Sequence, residues 1–208
     1  MKSLAIVLFD EVEVLDFAGP FEVFSVTGRR KIREPYEVFT VAERKTVTAR
    51  NNLVIAPTYT LSDCPSCSMF LVPGGGGFHA DGTPFGSRRE MHNQVLLHWI
   101  RDRAAKADHV LSVCTGALIL AKAGLLENLE ATTHFLAVDQ LASLSGNIRV
   151  SGEKRWVDNG KVILSAGVSA GIDMSLHMVE RLQGVDMANE TAKYMQYEYW
   201  DQGRKSVE

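Results

Sequence analysis

The sequence contains few cysteines, no excess of basic residues and no long hydrophobic run. Three cysteines in 208 residues make a poor disulfide framework, which favours a reducing compartment. The net charge of −3 argues against a nucleic-acid surface, because phosphate binding depends on clustered Lys and Arg. No apolar stretch approaches the roughly 20 residues that a membrane helix requires. These absences predict a cytoplasmic protein that binds neither nucleic acid nor membranes.

The N-terminal apolar run resembles a signal peptide only superficially. Residues 4–9 are apolar, but the run stops at Asp10 and Glu11 without a small-residue cleavage site, so a first core strand is the better interpretation. The hydrophobic content of 46% and the charged content of 23% are ordinary for a globular protein. The length predicts a single domain over residues 1–208 with a core of normal size.

Cys64 and Cys67 form a Cys-Pro-Ser-Cys motif, which suggests redox or zinc chemistry. A zinc site would need two further ligands at comparable spacing, and the sequence shows none. A thioredoxin-like pair opens a helix directly after a core strand, whereas this motif precedes the predicted strand at residues 69–72. We therefore interpret it as an ordinary loop, and we predict neither a metal nor a cofactor.

Strands and helices alternate along most of the chain. Strands are predicted at residues 4–9, 36–41, 46–49, 53–56, 69–72, 109–113, 131–133, 155–157 and 162–164. Helices are predicted at residues 15–26, 90–105, 115–123, 135–144, 171–182 and 187–197. Asn51-Asn52 and Asn159-Gly160 are typical hairpin turns. The alternation predicts an α/β sandwich, with a mostly parallel sheet and helices on both faces.

Cys114 lies where the strand at residues 109–113 gives way to a helix. Ligands of such folds bind beyond the carboxyl ends of the strands, and Gly116 suits a sharp reversal because it lacks a Cβ. The helix N-terminus would favour the thiolate, and a strained turn would expose the side chain, as in the nucleophile elbow of hydrolases. We therefore expect a sparsely allowed backbone conformation at Cys114. A merely packed cysteine is the alternative.

Two further segments are candidates to act with Cys114. The glycine loop at residues 74–77 follows another strand end, so its backbone N–H groups would face an oxyanion there. Asp16 has apolar neighbours in the sequence that would raise its pKa by desolvation and suit it to acid–base work. A helix cap is the other common use of an aspartate at this place. Glu22 is expected to face solvent.

The segments LDFAGPFEVF, VPGGGG, SVCTGALILAKAGLL, ATTH and SAGVSAGID together resemble the ThiJ/PfpI superfamily of class-I glutamine-amidotransferase-like proteins. They run in family order from residue 4 to about residue 199. Within the superfamily, the sequence resembles the isocyanide (isonitrile) hydratase branch and the sensor domains of AraC-type regulators. The resemblance implies a flavodoxin-like three-layer sandwich, usually a homodimer, with Cys114 as the nucleophile and Asp16 as its acidic partner.

The reaction that this resemblance implies is the addition of water to an isocyanide, which gives an N-formamide. The Cys114 thiolate would attack the terminal isocyanide carbon while protonated Asp16 donates to it, and water would then displace sulfur with Asp16 as base. Contacts to the substrate or to an oxyanion are predicted from Gly75, Gly76, Thr115, Gly167 and His134. For His134, the polar end of a strand is the alternative, and Tyr197 would either close the pocket or pack.

Some positions depart from the relatives' patterns. Protease-like relatives often carry His where Thr115 stands, and they usually carry Glu in the role of Asp16. The stretch Ser165-Ala166-Gly167 resembles the regulator sensor domains more than the hydratases, and Phe135 replaces the usual Trp. Because these positions would line the pocket wall, the identity of the small-molecule substrate stays open.

Two functions from other classes stay open. The first is a stand-alone small-molecule sensor without a DNA-binding domain, since about ten residues after the last predicted helix are too few for one. The second is redox sensing through oxidation of Cys114, which would follow from an exposed thiol of low pKa.

Overall fold

A computed structural model of the chain describes residues 2–29 and 35–197. Its strands are β1 (Ser3–Leu8), β2 (Glu37–Ala42), β3 (Val47–Ala49), β4 (Leu53–Ile55), β5 (Tyr59–Thr60), β6 (Met69–Val72), β7 (Gly76–Phe78), β8 (Pro84–Gly86), β9 (His109–Val113), β10 (Glu130–Ala131), β11 (Arg149–Val150), β12 (Trp156–Asp158) and β13 (Val162–Ser165). Its helices are α1 (Val14–Val26), α2 (Ser87–Glu90), α3 (Gln94–Lys106), α4 (Gly116–Lys122), α5 (Val138–Ala142), α6 (Ala170–Gln183) and α7 (Val185–Tyr194). Short 3₁₀ turns cover Arg50–Asn52 and Phe135–Ala137.

A seven-stranded sheet in the order β12-β13-β9-β6-β1-β2-β5 forms the centre of the molecule. Every neighbouring pair in it is parallel except β12 with β13, which is antiparallel. Strands β6 and β13 are buried along their whole length, and β1 and β9 are buried apart from their first residue. Strands that are apolar on both sides belong to a sheet with helices on both faces. The predicted flavodoxin-like α/β sandwich is confirmed.

The two predicted hairpins are present. Strands β3 and β4 pair antiparallel across Asn51 and Asn52, both of which have positive φ. Strands β12 and β13 pair across Gly160, which also has positive φ. The left-handed conformation explains why Asn and Gly occupy these turns.

Three predicted elements differ from the structure. The helix predicted at residues 90–105 begins later, as α3, because the Asn93 side chain accepts hydrogen bonds from the N–H groups of Val95 and Leu96 and caps the helix there. The helix predicted at residues 135–144 is a 3₁₀ turn followed by α5. The strand predicted at residues 131–133 is only β10, which pairs with β11 in a small separate sheet.

The parallel strands bring distant segments to one edge of the sheet. Strands β1, β6, β9 and β13 are neighbours, and their carboxyl ends are followed by the start of α1, the glycine loop, Cys114 and Gly167 respectively. Residues after 197, which were expected to be too few for a DNA-binding unit, lie outside the described residues. Within residues 2–29 and 35–197, none of the helices combines the length and apolar character needed to cross a membrane.

Candidate active site

Cys114 occupies a strained turn between β9 and α4. Its φ of 57° lies in the left-handed region, which a non-glycine residue adopts only when the surrounding structure holds it there. Its N–H donates to the carbonyls of Ser165 and Ala166 over 3.2 and 3.1 Å. Gly116 is required on the other side of the turn, because a Cβ there would lie 2.1 Å from the Val72 carbonyl oxygen. The elbow conformation predicted at Cys114 is confirmed.

The Cys114 thiol is buried, with 5% of the residue exposed, so the prediction that the turn would expose it is wrong. Burial raises its pKa to about 12, and the charge of Asp16 acts in the same direction. The N–H groups of Thr115 and Val168 and the Thr115 hydroxyl lower the pKa, but by less. The expected thiolate is therefore not the resting form, because desolvation outweighs the donors at the helix start.

Asp16 is completely buried in the first turn of α1. Its Oδ2 accepts the Gly74 N–H over 2.9 Å, while no described residue forms a hydrogen bond to Oδ1. Burial raises its pKa to about 7; the Gly74 N–H lowers it, the charge of Glu13 raises it, and the Cys114 thiol lowers it. The N-cap residue, which precedes α1, is Glu13, so Asp16 holds the glycine loop and does not occupy the cap position.

A hydrogen-bond network behind the nucleophile uses one of the predicted oxyanion donors. The Gly75 N–H donates to Thr115 Oγ1 over 3.0 Å, and Ser87 Oγ lies 2.8 Å from the same oxygen and 2.7 Å from the Gly75 carbonyl. The prediction that Gly75 presents a free N–H to an oxyanion is therefore corrected, because that N–H positions Thr115. Ser87 is fully buried, and nothing in its local sequence indicated a role.

The other loop glycines are required by close backbone packing. At Gly74 a Cβ would lie 2.5 Å from the Thr115 nitrogen and 3.0 Å from Asp16 Oδ2. Gly76 lies in β7 and pairs with Gly86. Its φ is 90°, and the Phe85 carbonyl leaves no room for a side chain at this position. The structure thus explains Gly76 by its packing in the hairpin, and its predicted contact with a substrate stays a prediction.

His134 packs against Gly167, in the loop that follows β13. A Cβ at Gly167 would lie 2.4 Å from His134 Cδ2, so Gly167 admits the imidazole ring. His134 Nδ1 accepts the Leu136 N–H and begins the 3₁₀ turn. Burial and the charge of Arg88 lower the pKa of His134, against a smaller opposite effect of Glu13. These contacts support the structural interpretation of His134, as a neutral ring packed against Gly167.

Val168 is a residue that the sequence analysis missed. Its φ is 47°, which is rare for a β-branched side chain, and its backbone N–H favours the ionised form of Cys114. A valine in a strained loop carries no signal of such a role, because its contribution comes from the backbone.

The structure also describes the other residues that the sequence analysis considered. The Tyr197 hydroxyl donates to Asp173 Oδ1 over 3.0 Å, which ties it to α6. Glu22 is exposed, as expected. Burial raises the pKa of both Cys64 and Cys67. Across the part of the chain that the structure describes, no three His, Cys, Asp or Glu side chains converge as metal ligands would.

Comparison with known proteins agrees with the fold. The sequence profile described as the DJ-1/PfpI family matches residues 2–181. The chain is 34% identical over 195 residues to an isonitrile hydratase from Pseudomonas putida, covering 94% of this chain and 78% of that protein. It is 24% identical to the HTH-type transcriptional regulator GbdR of Pseudomonas aeruginosa, covering 95% of this chain and 51% of the regulator. The crystal structure of a ThiJ/PfpI family protein from Pseudomonas syringae superimposes with a TM-score of 0.81 at 32% identity, covering 95% and 75% of the two chains.

Proposed function

The chain belongs to the DJ-1/PfpI family, and we propose that Cys114 and Asp16 hydrate an isocyanide to an N-formamide. The observation that supports this most is the ionisation of the pair: the pKa of Asp16 is raised to about 7, and that of Cys114 to about 12. A base poised at neutral pH beside a protonated nucleophile is suited to passing one proton back and forth. The similarity to isonitrile hydratase supports the same chemistry.

The first step forms a carbon–sulfur bond. Asp16 as carboxylate takes the Cys114 proton while sulfur attacks the terminal carbon of R–N≡C, and it then delivers that proton to the same carbon. The product is a neutral thioimidate, R–N=CH–S–Cys, and Asp16 is again a carboxylate. The N–H groups of Thr115 and Val168, which favour charge on sulfur, would stabilise the sulfur as its proton leaves.

The second step uses water. Asp16 removes one proton from the water as the water oxygen adds to the thioimidate carbon, and it delivers that proton to nitrogen, which gives R–NH–CH(OH)–S–Cys and leaves Asp16 a carboxylate. Collapse of this intermediate breaks the carbon–sulfur bond and returns the hydroxyl proton to sulfur through Asp16. The overall change is R–N≡C plus water to R–NH–CHO, with the protein restored.

A sensor function is the second candidate, and it has its own support. The chain resembles the regulator GbdR along 95% of its length, while it spans about half of that protein, and Ser165-Ala166-Gly167 resembles the regulator pattern. A sensor would bind a small molecule beside Cys114 without turnover. The redox alternative has less support, because it required an exposed thiol of low pKa, whereas Cys114 is buried and its pKa is raised.

Turnover of a simple isocyanide separates these functions. Cyclohexyl isocyanide is incubated with wild type, Cys114→Ser and Cys67→Ser, and N-cyclohexylformamide is quantified alongside a titration of reactive thiols. We expect many turnovers per wild-type molecule, loss of product in Cys114→Ser, and wild-type rates in Cys67→Ser, the matched control thiol. Saturable isocyanide binding without any formamide would instead support the sensor.

The proposal includes the homodimer that the family resemblance implies. Analytical ultracentrifugation at micromolar concentration tests it, and we expect a species of twice the 22.9 kDa chain mass. A monomer alone would contradict this part of the proposal.

A further inference from the structure

Arg88 is a charged side chain beside the site that the proposed reaction does not use. It directly follows Ser87 in the chain. The Ser87 hydroxyl lies 2.8 Å from Oγ1 of Thr115, the residue that follows Cys114. The residue is partly buried. The fold therefore places a positively charged residue directly after the Ser87–Thr115 contact, in the segment between β8 and α3.

This guanidinium has no anionic partner among the described residues. Its Nε is buried and forms no hydrogen bond. The neighbouring Arg89 differs, since it pairs with Glu90 over 2.7 Å and donates to the Asp10 carbonyl. Arginine stays charged in proteins and carries five donors, so leaving it buried and unpaired is costly.

An aromatic contact holds Arg88 in place. Its guanidinium carbon lies 5.6 Å from the ring centroid of Phe78, and that phenylalanine is 57% exposed. A guanidinium packed over a ring keeps its in-plane N–H groups for hydrogen bonds. A planar carboxylate fits this row of donors with two parallel bonds.

The charge acts on the groups of the site. Burial lowers the pKa of Arg88, and the negative charge of ionised Cys114 opposes that shift. The charge of Arg88 in turn lowers the pKa of His134. Glu13 is the competing acid at this site, and it acts on Asp16 and His134. Arg88 is thus electrostatically coupled to His134 and, when the thiol is ionised, to Cys114.

We infer that the substrate handled by Cys114 carries a carboxylate, and that Arg88 binds this group. That the substrate also carries an isocyano group rests on the proposed function. The inferred substrate class is therefore an isocyano carboxylate. Arg88 would orient the substrate by its acid group, while the isocyano carbon meets the sulfur. Binding at this point would also supply the anion that the guanidinium lacks.

A pair of substrates with one skeleton tests the inference during turnover. Isocyanoacetate carries the carboxylate, and methyl isocyanoacetate lacks its charge. We expect Arg88→Met to lower kcat/KM for isocyanoacetate by about thirtyfold or more, as for truncation of one partner in a buried charge pair, and to change the ester little. Arg89→Met, the matched control, should leave both unchanged. An equal loss on both substrates would overturn the inference.

Alkylation of Cys114 tests the anion site without any hydratase activity. The rate with iodoacetate is divided by the rate with neutral iodoacetamide, each followed by mass spectrometry of the Cys114 peptide. We expect this ratio to fall about tenfold in Arg88→Met and to stay constant in Arg89→Met. It should fall less in Arg88→Lys, because lysine keeps the positive charge but lacks the forked donors of the guanidinium. Arg88→Lys also serves if the Met variant does not fold.

The two assays separate the two proposals. An alkylation ratio that depends on Arg88 in a protein that turns over no isocyanide would contradict the hydratase function and leave the anion site standing. A ratio that is the same in wild type and both Arg88 variants would overturn the anion site, whatever the turnover.

Discussion

The backbone N–H of Gly74 donates a hydrogen bond to Oδ2 of Asp16 over 2.9 Å, across 58 positions of the chain. The bond joins the loop after β6 to the first turn of α1, and Oδ1 has no hydrogen-bond partner among the described residues. Burial raises the pKa of Asp16 to about 7, because the Gly74 N–H and the Cys114 thiol offset only part of the desolvation of the carboxylate. Asp16 can therefore gain and lose its proton at neutral pH, as acid–base catalysis requires.

Replacing Asp16 by Asn should remove that proton transfer while retaining an oxygen for the Gly74 N–H. We expect kcat for a neutral isocyanide to fall by about a hundredfold or more, with the circular dichroism spectrum unchanged. Glu22→Gln, an exposed carboxylate on the same helix, should retain wild-type turnover. If Asp16→Asn keeps its turnover and loses only thermal stability, another group handles the proton.

The pH dependence of kcat/KM should have an acid limb near pH 7. The reactive form carries one negative charge on the Asp16–Cys114 pair, and protonation of Asp16 removes it, so activity is lost as the pH falls through the Asp16 pKa of about 7. Activity should not decline up to pH 10, because the second proton leaves only near the raised pKa of Cys114. Rates of formamide formation, corrected for reaction without protein, give the profile. A limb near pH 4 would contradict the buried environment of Asp16.

The free energy of unfolding should fall as the pH rises towards 7, whereas the activity should rise. The pKa of Asp16 is raised from 3.8 to about 7 in the folded protein, so between these values the folded state binds more protons than the unfolded state. The stabilisation is complete below about pH 4 and is lost as the pH rises through 7. Relative to Asp16→Asn, wild type should lose up to about 1.4 kcal/mol of unfolding free energy per pH unit in this window.

Urea unfolding at pH 4.5, 6 and 7.5 measures this difference. Comparing slopes rather than absolute values cancels any constant cost of the asparagine side chain. Parallel curves for the two proteins would show that Asp16 titrates normally.

Gly116→Ala tests the close contact that forms the elbow. The new Cβ would lie 2.1 Å from the Val72 carbonyl oxygen, and neither strand β6 nor helix α4 can move without disturbing the core. We expect a loss of about 3 kcal/mol or more in unfolding free energy. Gly146→Ala, where a Cβ meets nothing within 4 Å, is the control and should be nearly neutral. Equal stability of the two variants would mean that the elbow relaxes freely.

Local sequence was sufficient for most of the fold. Apolar runs such as that of β9, separated by helical segments, predicted the parallel sheet, because a strand that is apolar on both sides needs helices on both faces. The position of Cys114 at a strand end followed from the same pattern, with Gly116 indicating the reversal. The start of α3 after Asn93 also had a local signal, since Asn is a strong N-cap, but the prediction followed the apolar period of the segment.

The site chemistry depended on contacts between segments that are far apart in the chain. Burial of Cys114 reversed the expected direction of its pKa shift, because desolvation depends on all the elements packed around the thiol and not on its own helix. The order of the strands brought Gly75 to Thr115 and Gly74 to Asp16, and it decided which N–H groups were already in use. By itself, the sequence determined the elements and the place of the nucleophile, because both follow from local periodicity and turn chemistry. Only the tertiary structure decided the protonation of the pair and the environment of Arg88, because charge and solvation are set by neighbours in space.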